Sequence, residues 1–205
     1  MIDEVKVNCD LSTFLASEGL VEIELGCGKH KTPGRLAIDR MDMPNVDIVA
    51  DLEKGLHFLP DCSIDVIHSS SFFEHIDNFE FLMCEMWRVL KPGGHILGFV
   101  PHFSNPYYYS DPTHRRFFGL YTFEYFSAGQ TRFTRKVPNF YGNAKFHTDE
   151  LRLYFTSPWP IRRWIKSRIT TLVNISPVFQ EFYEENLCHL LPCYGIYFIL
   201  SVEKN

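Results

Sequence analysis

One turn constrains this chain more than any other feature. The apolar stretch from Leu20 to Leu25 runs directly into Gly26-Cys27-Gly28, with Glu24 just ahead of the first glycine. Glycines at a strand end let the backbone approach a ligand closely, where any Cβ would collide. The next apolar stretch, Arg35 to Asp39, closes on an acid placed to accept hydrogen bonds from ribose hydroxyls. Paired glycines at a tight turn also occur for purely structural reasons, so the turn has to be weighed with its neighbours.

Those neighbours alternate between strand and helix patterns up to about residue 103, the signature of a parallel α/β sheet. After the first two strands, short apolar runs at Val46 to Ala50 and Ile64 to Ser69 predict the third and fourth. Apolar residues at near-helical period (Phe81, Leu82, Met86, Val89 and Leu90) predict a helix over 79–90. Lys91-Pro92-Gly93-Gly94 stops it, and His95 to Val100 follows as the fifth strand. Beyond that the pattern loosens into an aromatic-rich loop over 101–130. A strand at 150–155, a helix over 161–173 and a last strand at 194–202 complete the prediction.

Read in order, these segments resemble the class I S-adenosylmethionine (SAM) dependent methyltransferases. Glu24-Leu25-Gly26-Cys27-Gly28 has the ExGxG form of that family's first motif. Asp65-Val66-Ile67-His68-Ser69 followed by Phe73-Glu74-His75-Ile76 matches the fourth-strand motif of its EHI subgroup. Glu85 to Gly94 matches the helix and turn before the fifth strand. The resemblance covers residues 20–103. It implies a Rossmann-like α/β fold, a mostly parallel seven-stranded sheet with helices on both faces and an antiparallel final strand. It also implies a single domain over 1–205, with a cofactor-binding half at 1–103 and an acceptor-binding half at 104–205. SAM is the implied cofactor, held by Glu24, Gly26, Cys27, Gly28, Asp39, Asp51, Leu52 and Ser69. One departure stands out: only the seven residues Lys29 to Arg35 separate the glycine turn from the second strand. A parallel crossover normally takes a dozen or more, so the family's first helix must shrink to a turn here, and His30 replaces the third glycine.

Ligands of open α/β sheets bind beyond the carboxyl ends of the strands, which brings forward the segment after the fifth strand. Ten of its 24 residues from Phe103 to Phe126 are Phe or Tyr, and it contains Asp111-Pro112-Thr113-His114-Arg115-Arg116-Phe117-Phe118. This resembles a subgroup of small methyltransferases tied to cell-surface glycans or to tailoring of peptides and small molecules. A hydroxyl acceptor needs a base that titrates near neutrality, and histidine suits that task. His114 with Asp111 as orienting partner is the favoured catalytic pair, with His102 beside them. Asp111 and Thr113 equally suit a turn that satisfies its own backbone groups. His75, Tyr107, Tyr108, Tyr109, Arg115 and Arg116 are the candidate acceptor contacts. The arginines' planar forks suit a carboxylate, so carboxyl O-methylation of a peptide or small acid stands beside O-methylation of a sugar or other small-molecule hydroxyl. A SAM-binding subunit without activity is a third reading. His102, Asp111 and His114 match no standard metal spacing, and no metal is expected.

Charge and composition narrow the partners. A net charge of −5 disfavours gripping nucleic acid through phosphates. Six cysteines without framework spacing read as reduced thiols of a cytoplasmic protein. No secretory leader is visible, and no apolar run reaches the roughly 20 residues of a spanning helix. The helix over 161–173 carries an apolar stripe opposite Arg163 and Lys166. Packing of that stripe against the sheet is the expectation, and contact with a membrane surface the alternative.

Overall fold

The computed structural model describes residues 5–140 and 142–204. Its elements run β1 (Lys6–Val7), α1 (Leu11–Leu15), β2 (Glu22–Leu25), β3 (Leu36–Asp39), β4 (Ile48–Val49), β5 (Ile64–Ser70), α2 (Phe79–Val89) and β6 (Leu90–Pro101). They continue with β7 (Phe146–Tyr154), α3 (Pro160–Val173), α4 (Pro177–Asn186) and β8 (Gly195–Val202). The strands form one eight-stranded sheet in the order β1-β4-β3-β2-β5-β6-β8-β7. Pairs among β2, β3, β4, β5 and β6 are parallel, while β8 lies antiparallel between β6 and β7. The eighth strand, β1, is a two-residue edge piece antiparallel to β4. Two residues without alternating apolar character carry no period to detect, so only the tertiary pairing defines it.

The order reverses at β2, which has β3 on one side and β5 on the other. That is the switch point at which α/β sheets hold ligands, and the Gly26-Cys27-Gly28 turn leaves from it. One sheet face is dry. Ile23, Leu25, Ile67, Ile96, Val100, Phe198 and Leu200 lie there under Leu82, Met83 and Met86 of α2 and under Phe118 and Phe123 of the aromatic segment. Phe73, Phe79, Phe118, Phe123 and Phe198 meet ring to ring in that layer. The aromatic excess after β6 therefore builds core as well as site.

The second face is barer, as the short crossover requires. No helix forms over 29–35, and the loop is closed by Glu24, whose carboxylate accepts from the Thr32 backbone N–H at 2.9 Å and its hydroxyl at 3.2 Å. Between β5, β6, β7 and β8 this leaves a hollow of about 610 Å³ lined by residues such as His68, Leu97, Phe99, Tyr154 and Tyr197.

Helix α3 splits its expected stripe: Ile169 packs against the core and Val173 is buried, whereas Ile161, Trp164, Ile165 and Leu172 are exposed. It docks through a mostly polar face: Thr170 bridges the Phe155 backbone, Lys166 Nζ donates to Pro192 O at 3.3 Å, and Val173 is buried. Asn174, just past its end, donates to and accepts from the Leu153 backbone at the edge strand β7. Edge strands present free N–H and C=O groups. Satisfying them takes polar side chains, so Thr170 and Asn174 face inward beside Ile169 and Val173.

Candidate functional site

The turn after β2 has a specific backbone need. Gly26 and Gly28 have φ of 67° and 54°, the left-handed region that favours glycine. A Cβ on Gly26 would sit 2.5 Å from the Phe72 ring. Asp39, at the end of β3, holds the turn: its Oδ2 accepts from Gly28 N and its Oδ1 from Met41 N, both at 2.9 Å. Each carboxylate oxygen keeps acceptor capacity beyond these bonds.

Beyond the strand ends lies a cleft of about 460 Å³. Gly26, Asp39, Asp51 and Leu52 line one part, and Ser71, Phe72, His75, Ile76, Thr113 and Arg115 line another. Its carboxylates (Asp39, Asp51, Glu53, Asp77) outnumber its guanidiniums (Arg40, Arg115), which suits a cationic ligand rich in hydroxyl and amine donors. Asp51 opens a short 3-10 turn by accepting from Glu53 N at 3.2 Å. Glu53 in turn accepts from the backbone N–H groups of Asp77 and Asn78, which ties the cleft's two walls together.

Not every expected cofactor residue faces this cleft. Glu24 and Ser69 line the hollow on the barer sheet face. Cys27 is buried in a small cluster with Ala37, Val46 and Val49, where burial pushes its thiol up to about 11.

At the far end, the residues of 73–76 and 111–116 interlock. The Glu74 carbonyl accepts from the Arg115 and Arg116 backbone N–H groups. The Arg116 guanidinium donates to the Ile76 and Asp77 carbonyls, and the buried Tyr108 hydroxyl donates to Arg116 O at 2.6 Å. Arg116 and Tyr108 thus clamp the segment, while Arg115 reaches the cleft. Tyr107 and Tyr109 are exposed and do not line it. His102 is fully buried away from it, between the Ser104 hydroxyl and the Glu184 carboxylate at 3.1 Å.

The titratable groups that meet here are His75, His114, Glu74 and Asp111. His75 Nδ1 lies 2.9 Å from the Thr113 hydroxyl and 3.3 Å from the Thr113 carbonyl. A carbonyl only accepts, so Nδ1 carries the proton and Nε2 keeps its lone pair. The Thr113 hydroxyl donates onward to Asp111 Oδ1 at 2.6 Å. His114 stacks edge-on against His75 at 4.9 Å and donates from Nδ1 to Tyr108 O. Burial lowers the His75 pKa from its ordinary value, and the neighbouring His114 adds to this.

Sequence reasoning missed Glu74. It is 1% exposed, its Oε2 has no hydrogen-bond partner among the described residues, and burial pushes its carboxyl up to about 7. The signal was present in the Phe73-Glu74-His75-Ile76 motif: an acid between apolar residues must end up desolvated or paired. Ligating atoms of Glu74, His75 and His114 lie within 4.8 Å of one another.

Comparison with known proteins fits this architecture. Residues 28–98 match the family model described as a methyltransferase domain. No curated protein matches. Among solved structures, the fold is similar to an S-adenosylmethionine dependent methyltransferase from Mesorhizobium loti, at 16% identity and TM-score 0.51, covering 89% of this chain and 91% of that one. It is also similar to a SAM dependent methyltransferase from Archaeoglobus fulgidus (18%, TM-score 0.50, 90% and 87% covered). The YcgJ protein from Bacillus subtilis gives 17% and TM-score 0.54, with 95% and 97% covered. Residues 28–98 thus match a methyltransferase domain, and the fold is one shared with S-adenosylmethionine dependent methyltransferases.

Two outcomes test this geometry. Asp39→Ala removes charge-assisted bonds and should weaken SAM binding by about 1.5–3 kcal/mol in calorimetry. Gly26→Val forces a branched side chain into the Phe72 ring and should abolish binding; unchanged affinity in both variants would place the cofactor elsewhere. Glu74 tests the buried acid. Its folded pKa lies above the unfolded value of about 4.3, so its contribution to stability is fully present below that value. It is lost as pH rises through about 7. Glu74→Gln should therefore gain denaturation midpoint relative to wild type between pH 5 and 8, by roughly 3 kcal/mol at most. A wild-type-to-variant difference that stays constant across that range would contradict the shifted acid.

Proposed function

We propose that the protein is an O-methyltransferase that acts on a hydroxyl of a sugar or other small molecule. The observation that carries this reading is the relay of His75 Nδ1, Thr113 hydroxyl and Asp111 carboxylate at the wall of the cofactor cleft. It leaves Nε2 of His75, a residue that lines the cleft, with a lone pair free among the described residues.

When bound, SAM supplies a methyl group on a sulfonium, which leaves its electron pair on sulfur as the methyl departs. The chain's own residues hold and deprotonate the acceptor. His75 takes the hydroxyl proton at Nε2 as the acceptor oxygen gains the methyl group, and its Nδ1–H stays bonded to Thr113. Asp111 stabilises the imidazolium through the Thr113 hydroxyl, as an orienting carboxylate does in other His-based sites. His114 acts as a positioning residue: it packs on the His75 ring, and its charge, when present, lowers His75 basicity. In this reading the base is the histidine that lines the cleft rather than His114, favoured on sequence grounds, whose Nε2 lies 3.7 Å from Asp111 Oδ2. Tyr107, Tyr109 and the exposed Phe117 stand just outside as an aromatic rim onto which a sugar ring would stack.

Arg115 in the same cleft favours a second reading, carboxyl O-methylation. A carboxylate is already deprotonated at neutral pH and needs charge recognition rather than a base.

Kinetics separates the two. On the hydroxyl reading, His75→Ala lowers kcat by about 10²–10⁴. Because burial lowers the His75 pKa, the wild-type kcat should rise with pH below about 6.5, the ordinary imidazole value, and be flat above it. On the carboxylate reading, His75→Ala keeps its kcat and Arg115→Ala raises KM instead. EDTA should leave activity intact. Loss with EDTA and rescue by a divalent ion would turn Glu74, His75 and His114 into metal ligands and overturn the proton relay.

A further inference from the structure

Helix α3 is built inside out for a protein in water. Trp164, Arg168, Ile161, Leu172 and Ile165 share one face at 3.6 residues per turn, and that face points away from the fold. Ile161 is 78% exposed, Trp164 62% and Leu172 55%. Trp159 precedes the helix and is exposed. Ile175 in the connection and Val178, Phe179 and Phe182 of α4 extend the exposed apolar surface. Contiguous exposed apolar surface of this kind marks an interaction site.

Charge identifies the partner. Helix α3 carries Arg162, Arg163, Lys166 and Arg168 and no Asp or Glu, within a chain of net charge −5, while Arg152 on β7 is paired with Glu150 at 3.7 Å. Arg163 is engaged with the Ser157 and Pro158 carbonyls and Lys166 with Pro192, so their ammonium and guanidinium charges border the helix's inner side. Arg168 lies over the Trp164 ring at 5.5 Å, on the outward face itself. Glu181 accepts from the Thr134 and Arg135 backbone N–H groups and Glu184 from Leu120 N, yet both border Val178 and Phe182 of α4, so the cationic surface is that of α3. Glu185 is the exposed acid nearby.

We infer that α3 and the start of α4 dock the protein on an anionic lipid surface, with the helix axis in the plane of the interface. Trp159 and Trp164 suit the headgroup level, where amphipathic rings concentrate. Ile161, Ile165 and Leu172 enter the acyl boundary, and Arg162 and Arg168 meet lipid phosphates. A second copy of the chain fits less well, because a two-fold contact through this face brings Arg162 and Arg168 of both copies into one interface with no acid of α3 to offset them, and like charges oppose association. The inference does not depend on the acceptor's identity, and it adds a location at which an acceptor could be met.

Flotation of the full chain with vesicles tests it, using phosphatidylcholine alone or with a third phosphatidylglycerol. At low salt the chain should float with the anionic vesicles and stay behind with the neutral ones. Its tryptophan emission should shift to the blue. Arg162→Gln and Arg168→Gln should each weaken partitioning about fivefold, and added salt should weaken it as well. Ile161→Ser combined with Trp164→Ser should cost at least about tenfold while SAM affinity, measured in parallel, stays unchanged and certifies the fold. No flotation with anionic vesicles overturns the inference, as does equal partitioning of the wild type and the double variant. A concentration-dependent dimer in sedimentation that Trp164→Ser dissolves, with no lipid binding, would assign the face to a second copy.

Discussion

The carboxylate of Asp39 is the contact on which the rest of the site depends. It closes the end of β3 onto the glycine turn after β2 by accepting from Gly28 N, while Gly26 N donates to Ile38 O from the same turn. In a class I fold a helix ordinarily follows this turn and helps to fix it. Seven residues cannot form such a helix, so here the turn is held by strand-end bonds, by Asn45 on the Gly28 carbonyl and by Glu24 on Thr32. The same shortening has a second consequence. With no helix over β2 and its neighbours on that side, Leu97, Phe99 and Tyr197 remain partly open and a hollow forms where packing would otherwise be. Its position on the face of the sheet, away from the strand ends, sets it apart from the cleft lined by Gly26 and Asp39.

The acceptor side is made by interlocking two segments distant in sequence. Glu74 receives two backbone N–H groups on its carbonyl, and the Arg116 fork returns to two carbonyls just beyond it. This backbone exchange is what brings Thr113 against His75. Burial then acts on the two titratable neighbours in opposite senses, because it disfavours whichever form is charged. It raises the Glu74 carboxyl and lowers the His75 imidazole, so both are biased toward neutrality. A neutral imidazole with its Nδ1 proton already committed is poised to accept at Nε2.

Much of the fold was legible in the sequence, and the reasons differ by element. Strands β2, β3, β5 and β6 announce themselves through apolar runs that end in glycine, acid, serine or proline, since a buried parallel sheet tolerates little else. Helix α2 shows its period because one side packs on the sheet. Strand β1 and helix α1 are too short to show a period at all. Helix α4 was missed because its buried contacts are Gln180 and Tyr183, while Val178, Phe179 and Phe182 face out, the reverse of the usual pattern. In α3 the stripe divides, with Ile169 and Val173 turned inward and Ile161, Trp164, Ile165 and Leu172 outward, because periodicity locates an apolar stripe but does not say how much of it is covered. In the site, Gly26, Asp39, Asp51 and Leu52 meet in one cleft as motif order suggested. His75 and His114 could not be ranked in advance, because their separation in sequence hides that they stack, and because only tertiary structure decides which one lines the cleft.

A crystal structure with S-adenosylhomocysteine bound would test the account at its centre. The proposed site requires the ribose hydroxyls on Asp39, the adenine beside Asp51 and Leu52, and the sulfur directed toward the His75 end of the cleft. Density for the ligand in the hollow lined by Phe99 and Tyr197, or a sulfur directed away from His75, would contradict it.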